Sequence, residues 1–132
     1  MPACATAATV VPVARERFPR SVYEAGDEPD PRFTLANERT YLAWIRTSLA
    51  LLAGGIALEV LGLGIQELFR VAASVVLMVT GIAAAPFAWW GWARYERALR
   101  SGTPLPSSLF ALPVSAAVTV SGVLVFVGFL VR

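Results

Sequence analysis

Two long stretches without a single charged side chain constrain this chain more than any other feature. They run over residues 71–93 and 101–131. A third apolar run follows Thr40 and reaches Gly64, interrupted only by Arg46 and Glu59. A helix rises about 1.5 Å per residue and the bilayer's hydrocarbon core is about 30 Å thick, so apolar runs of about 18 or more residues read as membrane spans. The composition agrees: 57% of residues are hydrophobic and 15% are charged, where a soluble domain carries nearer 25% charged. The sequence therefore predicts an all-α integral membrane protein. Three transmembrane helices are expected at about 40–64, 71–92 and 112–131, inside a membrane domain over 34–132. Too little chain remains for a second folded domain of ordinary size.

Residues 1–33 read as a flexible cytoplasmic tail. Five of the nine prolines precede Phe33, mixed with alanine, arginine and acids, a composition that buries little. It is not expected to be a signal peptide, because no apolar core of about 7–15 residues follows a basic start. Cys4 lacks the preceding hydrophobic run of a lipoprotein signal. Thr34 is the expected N-cap of the first helix, after Pro29 and Pro31.

The arginines set the expected orientation. Arg15, Arg17, Arg20, Arg32 and Arg39 precede the first span, and Arg94, Arg97 and Arg100 follow the second; the opposite side holds Arg70 and Arg132. The positive-inside rule then puts the N-terminus in the cytoplasm and the C-terminus outside. Tyr41 and Trp44, with Trp89, Trp90 and Trp92, form aromatic belts at that same face. The expected location is the plasma or inner membrane, with lipids as the surrounding partners.

Several function classes drop out. Net charge is only +2 and no basic patch interleaves with aromatics, so nucleic acid is not an expected partner. There is no histidine, and Cys4 is the only cysteine. That removes His-based catalytic sets and any cysteine/histidine metal cluster. No cofactor, no metal and no enzymatic activity is expected.

The chemically richest stretch is residues 35–52, LANERTYLAWIRTSLALL. Wound as a helix, Arg39, Ala43, Arg46, Ala50, Ala53 and Ala57 follow a heptad spacing and share one face. Arg46 lies roughly 6–10 Å inside the bilayer by helical rise. Its side chain leans toward the helix N-terminus and can snorkel to lipid phosphates. On that reading it is an anchor. The other reading makes Arg39 and Arg46 two tiers of an anion site, about 10 Å apart by helical rise, on a face that alanine keeps narrow. Arginine forks suit repeated phosphates.

Other positions carry weaker signals. Glu59 lies about 220° around the helix from Arg46, so the two cannot pair within one chain. Pro86 falls inside the second span, removes one backbone hydrogen bond and frees the Ile82 carbonyl, so a kink is expected there. The helix is expected to continue past the bilayer through Arg94, Arg97 and Arg100, with Glu96 and Arg100 at i, i+4 spacing. In the third span, Ser115, Thr119 and Gly122 share one face, and Ala117, Ser121 and Gly128 a neighbouring one. Either suits close helix packing, within the chain or between copies.

The phrase ANERTYLAW followed by IRTSLA, with WARYERAL after the second span, resembles the YidH-like family, domain of unknown function 202. The resemblance covers about residues 33–132 and includes Asn37, Glu38, Arg39 and Trp44. A similar domain forms the membrane part of the vacuolar transporter chaperone complex, where copies assemble as a ring whose basic residues line a polyphosphate path. By that resemblance Arg39 takes the motif arginine's place. Arg46 follows the bacterial pattern and departs from the eukaryotic one. No counterpart of that complex's phosphate-sensing and catalytic parts is expected here. The resemblance implies a self-associating protein that binds or conducts phosphate-rich, polyphosphate-like anions through Arg39 and Arg46, with Arg94 and Arg97 at the mouth. The alternative is a structural membrane subunit that scaffolds a partner.

Overall fold

A computed structural model describes residues 17–108 and 110–131. Four helices follow one another: α1 (Arg20–Tyr23), α2 (Pro31–Val60), α3 (Glu67–Ser101) and α4 (Ala111–Leu130). The last three are long and apolar enough to cross a membrane. No strand occurs among the described residues.

Local chemistry sets the boundaries. α2 begins at Pro31, whose fixed φ suits the first helical position. The Asp30 side chain caps it by accepting a hydrogen bond from the Arg32 amide at 2.9 Å. The expected cap, Thr34, lies a turn inside the helix because the Asp-Pro pair starts it earlier. α2 ends at Val60, and Gly62 and Gly64 turn the chain with φ of 51° and 61°. Arg70 belongs to α3 rather than to the linker, since α3 starts at Glu67. α3 runs unbroken through Pro86 and stops where Gly102 takes a left-handed conformation, φ 61°, ahead of Pro104 and Pro106.

The lengths matter. α4 has 20 residues, about the hydrocarbon thickness, and α3 has 35, about 52 Å. α3 therefore projects beyond the bilayer. Its overhang is the arginine-bearing end, and α2's first turns run alongside it.

α3 is the centre of the fold. α2 packs on one side of it and α4 on another, and no Cα of α2 comes within 8 Å of α4. The chain also departs from the expected tail. Within it, residues 17–30 fold back onto the α3 overhang. Val22 of α1 is fully buried against Trp92 and Ala93, with Tyr23 and Tyr41 beside them. Residues 1–16, with Cys4 and Arg15, lie outside the described residues.

Candidate functional site

The two faces of α2 have opposite characters. Asn37, Ser48, Leu51 and Gly55 are its buried residues. Ser48 Oγ donates to the Gly81 carbonyl of α3 at 2.6 Å, and Ser74 Oγ of α3 donates to the Gly55 carbonyl of α2 at 2.8 Å. Serine and glycine stand seven residues apart in both helices, so the antiparallel pair is fastened twice by the same device. Glycine permits it. A Cβ at Gly55 would lie 2.6 Å from Met78 Cγ, and one at Gly81 would lie 3.0 Å from the Ser48 carbonyl oxygen. Close approach and interhelical hydrogen bonds are what bind helices in lipid, where apolar burial adds little.

The arginine stripe lies on the other face. Arg39 is two residues from Asn37, and Arg46 and Ala50 each two from Ser48, so the stripe turns roughly 160° away from α3. Arg39, Ala43, Arg46, Ala50 and Ala53 are all exposed. Neither arginine has a hydrogen-bond or ion-pair partner among the described residues. Glu38, next to Arg39, is exposed too.

Beside the overhang lies a buried polar cluster centred on Glu96, whose exposure is 0%. Its carboxylate accepts from Thr34 Oγ1 at 3.2 Å and Asn37 Nδ2 at 3.3 Å, and Arg100 Nε lies 3.4 Å away. Asn37 Nδ2 also donates to the Trp92 carbonyl at 3.2 Å. Arg100 Nη1 reaches the Tyr23 carbonyl at 3.4 Å, and its guanidinium lies 4.6 Å from the centre of the Tyr23 ring. A charge this deep is tolerable only with such partners. The cluster joins three segments: α2 through Thr34 and Asn37, α3 through Glu96 and Arg100, and the chain before α2 through Tyr23. The Asp27 amide donates to the Arg100 carbonyl at 3.1 Å, taking up one of the open carbonyls at the α3 terminus. Gly26, φ 61°, lies so close to that carbonyl that a side chain there would collide with it.

Arg94 and Arg97 share a groove of about 280 Å³ with Thr103, Pro104 and Pro106. Arg97 Nη2 donates to Ser21 Oγ at 3.0 Å, and Arg94 lies over the Trp90 ring at 5.6 Å. Neither Arg39 nor Arg46 lines that groove. At the far end of the helices Glu59 pairs with Arg70 at 3.7 Å, a partner that the spacing argument, confined to Arg46, had not supplied. Pro86 is exposed on α3.

Sequence reasoning missed the serine–glycine pairs and the depth of Glu96. The repeated seven-residue interval in Ser48–Gly55 and Ser74–Gly81 was the available signal. Glu96 and Arg100 read only as an i, i+4 helical pair, because nothing in the spacing says that Thr34 and Asn37 close over them. In α4, the structure separates the two small-residue faces. Ser121 and Gly128 are buried on α3, with Ser121 Oγ 3.5 Å from the Ala73 carbonyl and Gly128 against Ile65 and Phe69, whereas Ser115, Thr119 and Gly122 are exposed.

The separation of α2 from α4 leaves a crevice floored by α3. Its deeper part, of about 410 Å³, is walled by Trp44, Val79, Ala83, Phe87, Phe110 and Val114. Nearer the overhang it is lined by Asn37, Thr40, Trp92, Tyr95 and Ser108.

Comparison with known proteins agrees with these elements. The family described as Domain of unknown function (DUF202) matches residues 32–98, which span α2 and nearly all of α3. The chain is 37% identical over 109 residues to inner membrane protein YidH of Escherichia coli K12, covering 78% of this chain and 95% of YidH. It is 46% identical over 83 residues to the uncharacterized protein Rv2272 of Mycobacterium tuberculosis H37Rv, covering 60% of this chain and 66% of that protein. No solved structure matches.

Proposed function

This chain belongs to the DUF202, YidH-like family of multi-pass inner-membrane proteins, and we propose that it is a homo-oligomer whose outward α2 faces bind or conduct a phosphate-rich, polyphosphate-like anion. One observation carries the reading: Arg39 and Arg46 stand exposed, without partners among the described residues, on a membrane-helix face otherwise built from alanine. An arginine facing hydrocarbon alone is costly, about 2.5–3.5 kcal/mol at the bilayer centre on insertion scales. Alanine lets a second copy approach closely enough to share the site. Copies around an axis would stack two arginine tiers about 10 Å apart by helical rise. Arg94 and Arg97 would stand at the mouth, with the arginine-rich end in the cytoplasm. The protein acts here as a binder or conduit and not as an enzyme.

A second reading rests on the direction of the Arg46 side chain. A helical side chain leans toward its helix N-terminus, here the arginine-rich end, where it would reach lipid phosphates and leave the chain as a scaffold for a partner protein. Native mass spectrometry of the purified particle, then flux of phosphate and short polyphosphate in proteoliposomes, separates the two. The conduit requires a closed oligomer of at least three chains, with flux that Arg46→Ala lowers at least tenfold at unchanged mass. A monomer in every mild detergent, or no flux from an intact oligomer, leaves the scaffold.

A further inference from the structure

The segment before α2 lies against the arginine-bearing end of α3, and the two are of opposite sign. Residues 17–30 hold four acids and two arginines, and residues 94–100 hold three arginines and one acid. Arg100 is held by Glu96 and the Tyr23 carbonyl. Arg94 and Arg97 have no carboxylate partner among the described residues. Arg94 lies over the Trp90 ring, and Arg97 donates to the Ser21 hydroxyl. A hydroxyl is neutral and offers one oxygen to a fork that two phosphate oxygens would fill, so it is the weaker partner. The segment thus occupies Arg97 without neutralising it.

Its own hold is slight. Val22 is the one buried residue of 17–30. The Tyr23 ring lies 5.7 Å from the Arg17 guanidinium and 4.6 Å from that of Arg100. The Asp27 amide bonds the Arg100 carbonyl. The Arg17–Glu28 pair, 2.7 Å apart, is exposed and closes the segment on itself, a kind of contact that adds little. A segment with so few buried contacts opens at far lower cost than the helices beneath it.

We propose that residues 17–30 are an autoinhibitory cover for the Arg94/Arg97 groove, with Ser21 standing where an oxygen of a phosphate-rich anion would bind Arg97. The proposal rests on the anion reading above and adds its regulation. Cover and anion compete for one guanidinium, so their effects are reciprocal. Releasing the cover raises anion affinity by the factor by which the anion promotes release. Arg100 stays with Glu96 in both states.

Gly26→Val releases the cover without touching an arginine, because a Cβ there, at φ 61°, would overlap the Arg100 carbonyl oxygen. Val22→Asp withdraws the buried anchor and is an independent route. Both are made in the full chain carrying Arg39→Gln and Arg46→Gln, so that the stripe adds no binding. Tripolyphosphate is titrated calorimetrically in detergent, with release read by proteolysis within 17–30 at unchanged helicity. Each released variant should bind at least fivefold more tightly than its parent, and adding Arg97→Gln should abolish the gain. In the parent, saturating tripolyphosphate should speed amide exchange across residues 20–27 at least fivefold. Unchanged affinity in both released variants, or slower exchange with tripolyphosphate bound, overturns the cover. No binding by any of these proteins overturns it together with the groove's place as an anion mouth. Absence of flux from the unmutated chain with this coupling intact removes the conduit alone, and flux without the coupling removes the cover alone.

Discussion

α3 holds its two neighbours by different means. Against α2 it uses two serine-to-glycine-carbonyl bonds in the span and the Glu96 cluster beyond it. Against α4 it uses one long bond from Ser121 and the close approach of Gly128, which lies against Phe69 and the preceding Ile65 and whose carbonyl accepts the amide of Gln66, the α3 N-cap, at 3.2 Å. In lipid, where apolar surface has no water to escape, the first interface is held by side-chain hydrogen bonds along its length and the second chiefly by one backbone bond at its end. The α2–α3 hairpin is thus the defined unit and α4 an attached flank. The family match, over residues 32–98, stops where the hairpin stops.

The contrast can be broken from the strong side first. Glu96→Ala leaves Arg100 buried without its carboxylate, a change that costs about 3–5 kcal/mol in buried pairs. Denaturant titration in detergent should register it, and limited proteolysis should begin to cut within 17–30. If stability is unchanged, the cluster does not hold the hairpin. Next come Gly55→Ala and Gly81→Ala. Each forces a methyl into the α2–α3 contact and should destabilise by about 1–3 kcal/mol, read as a lowered melting temperature. Ser48→Ala and Ser74→Ala each delete one interhelical hydrogen bond. About 0.6 kcal/mol each, at most about 1.7, is expected, with Ser121→Ala smaller than either because its bond is already 3.5 Å long. Comparable losses at Ser48 and Ser121 would erase the distinction between the two interfaces. At the small end, Arg39→Gln and Arg46→Gln touch no described partner and should leave monomer stability within about 0.5 kcal/mol, whatever they do to anion binding.

Much of the fold was legible because a membrane helix is written in uninterrupted apolar sequence. The three spans, the end of α3 at Ser101 and Gly102, and its extension through Arg94 and Arg97 follow from charge gaps and breakers alone. What was not legible depends on which residues meet across space. Thr34 looked like a cap because its type and place suit one, yet Asp30 and Pro31 start the helix earlier and Thr34 donates to Glu96 instead. Residues 17–30 looked like a solvated tail because their composition is polar. Their folding depends on one small contact, Val22 against Trp92 and Ala93, and on the bond from the Asp27 amide to the Arg100 carbonyl, which no side-chain pattern encodes. For the candidate site, the stripe of Arg39 and Arg46 was readable as one face of a helix. That it turns away from α3 required the serine and glycine positions on the opposite face.

That no Cα of α2 comes within 8 Å of α4 has a consequence for how the protein is made. During translation the hairpin acquires all its interhelical hydrogen bonds as soon as the second span leaves the ribosome and enters the membrane. The last span finds its place on a surface already finished, so a chain truncated after residue 101 and released should still insert with its first two spans correctly paired.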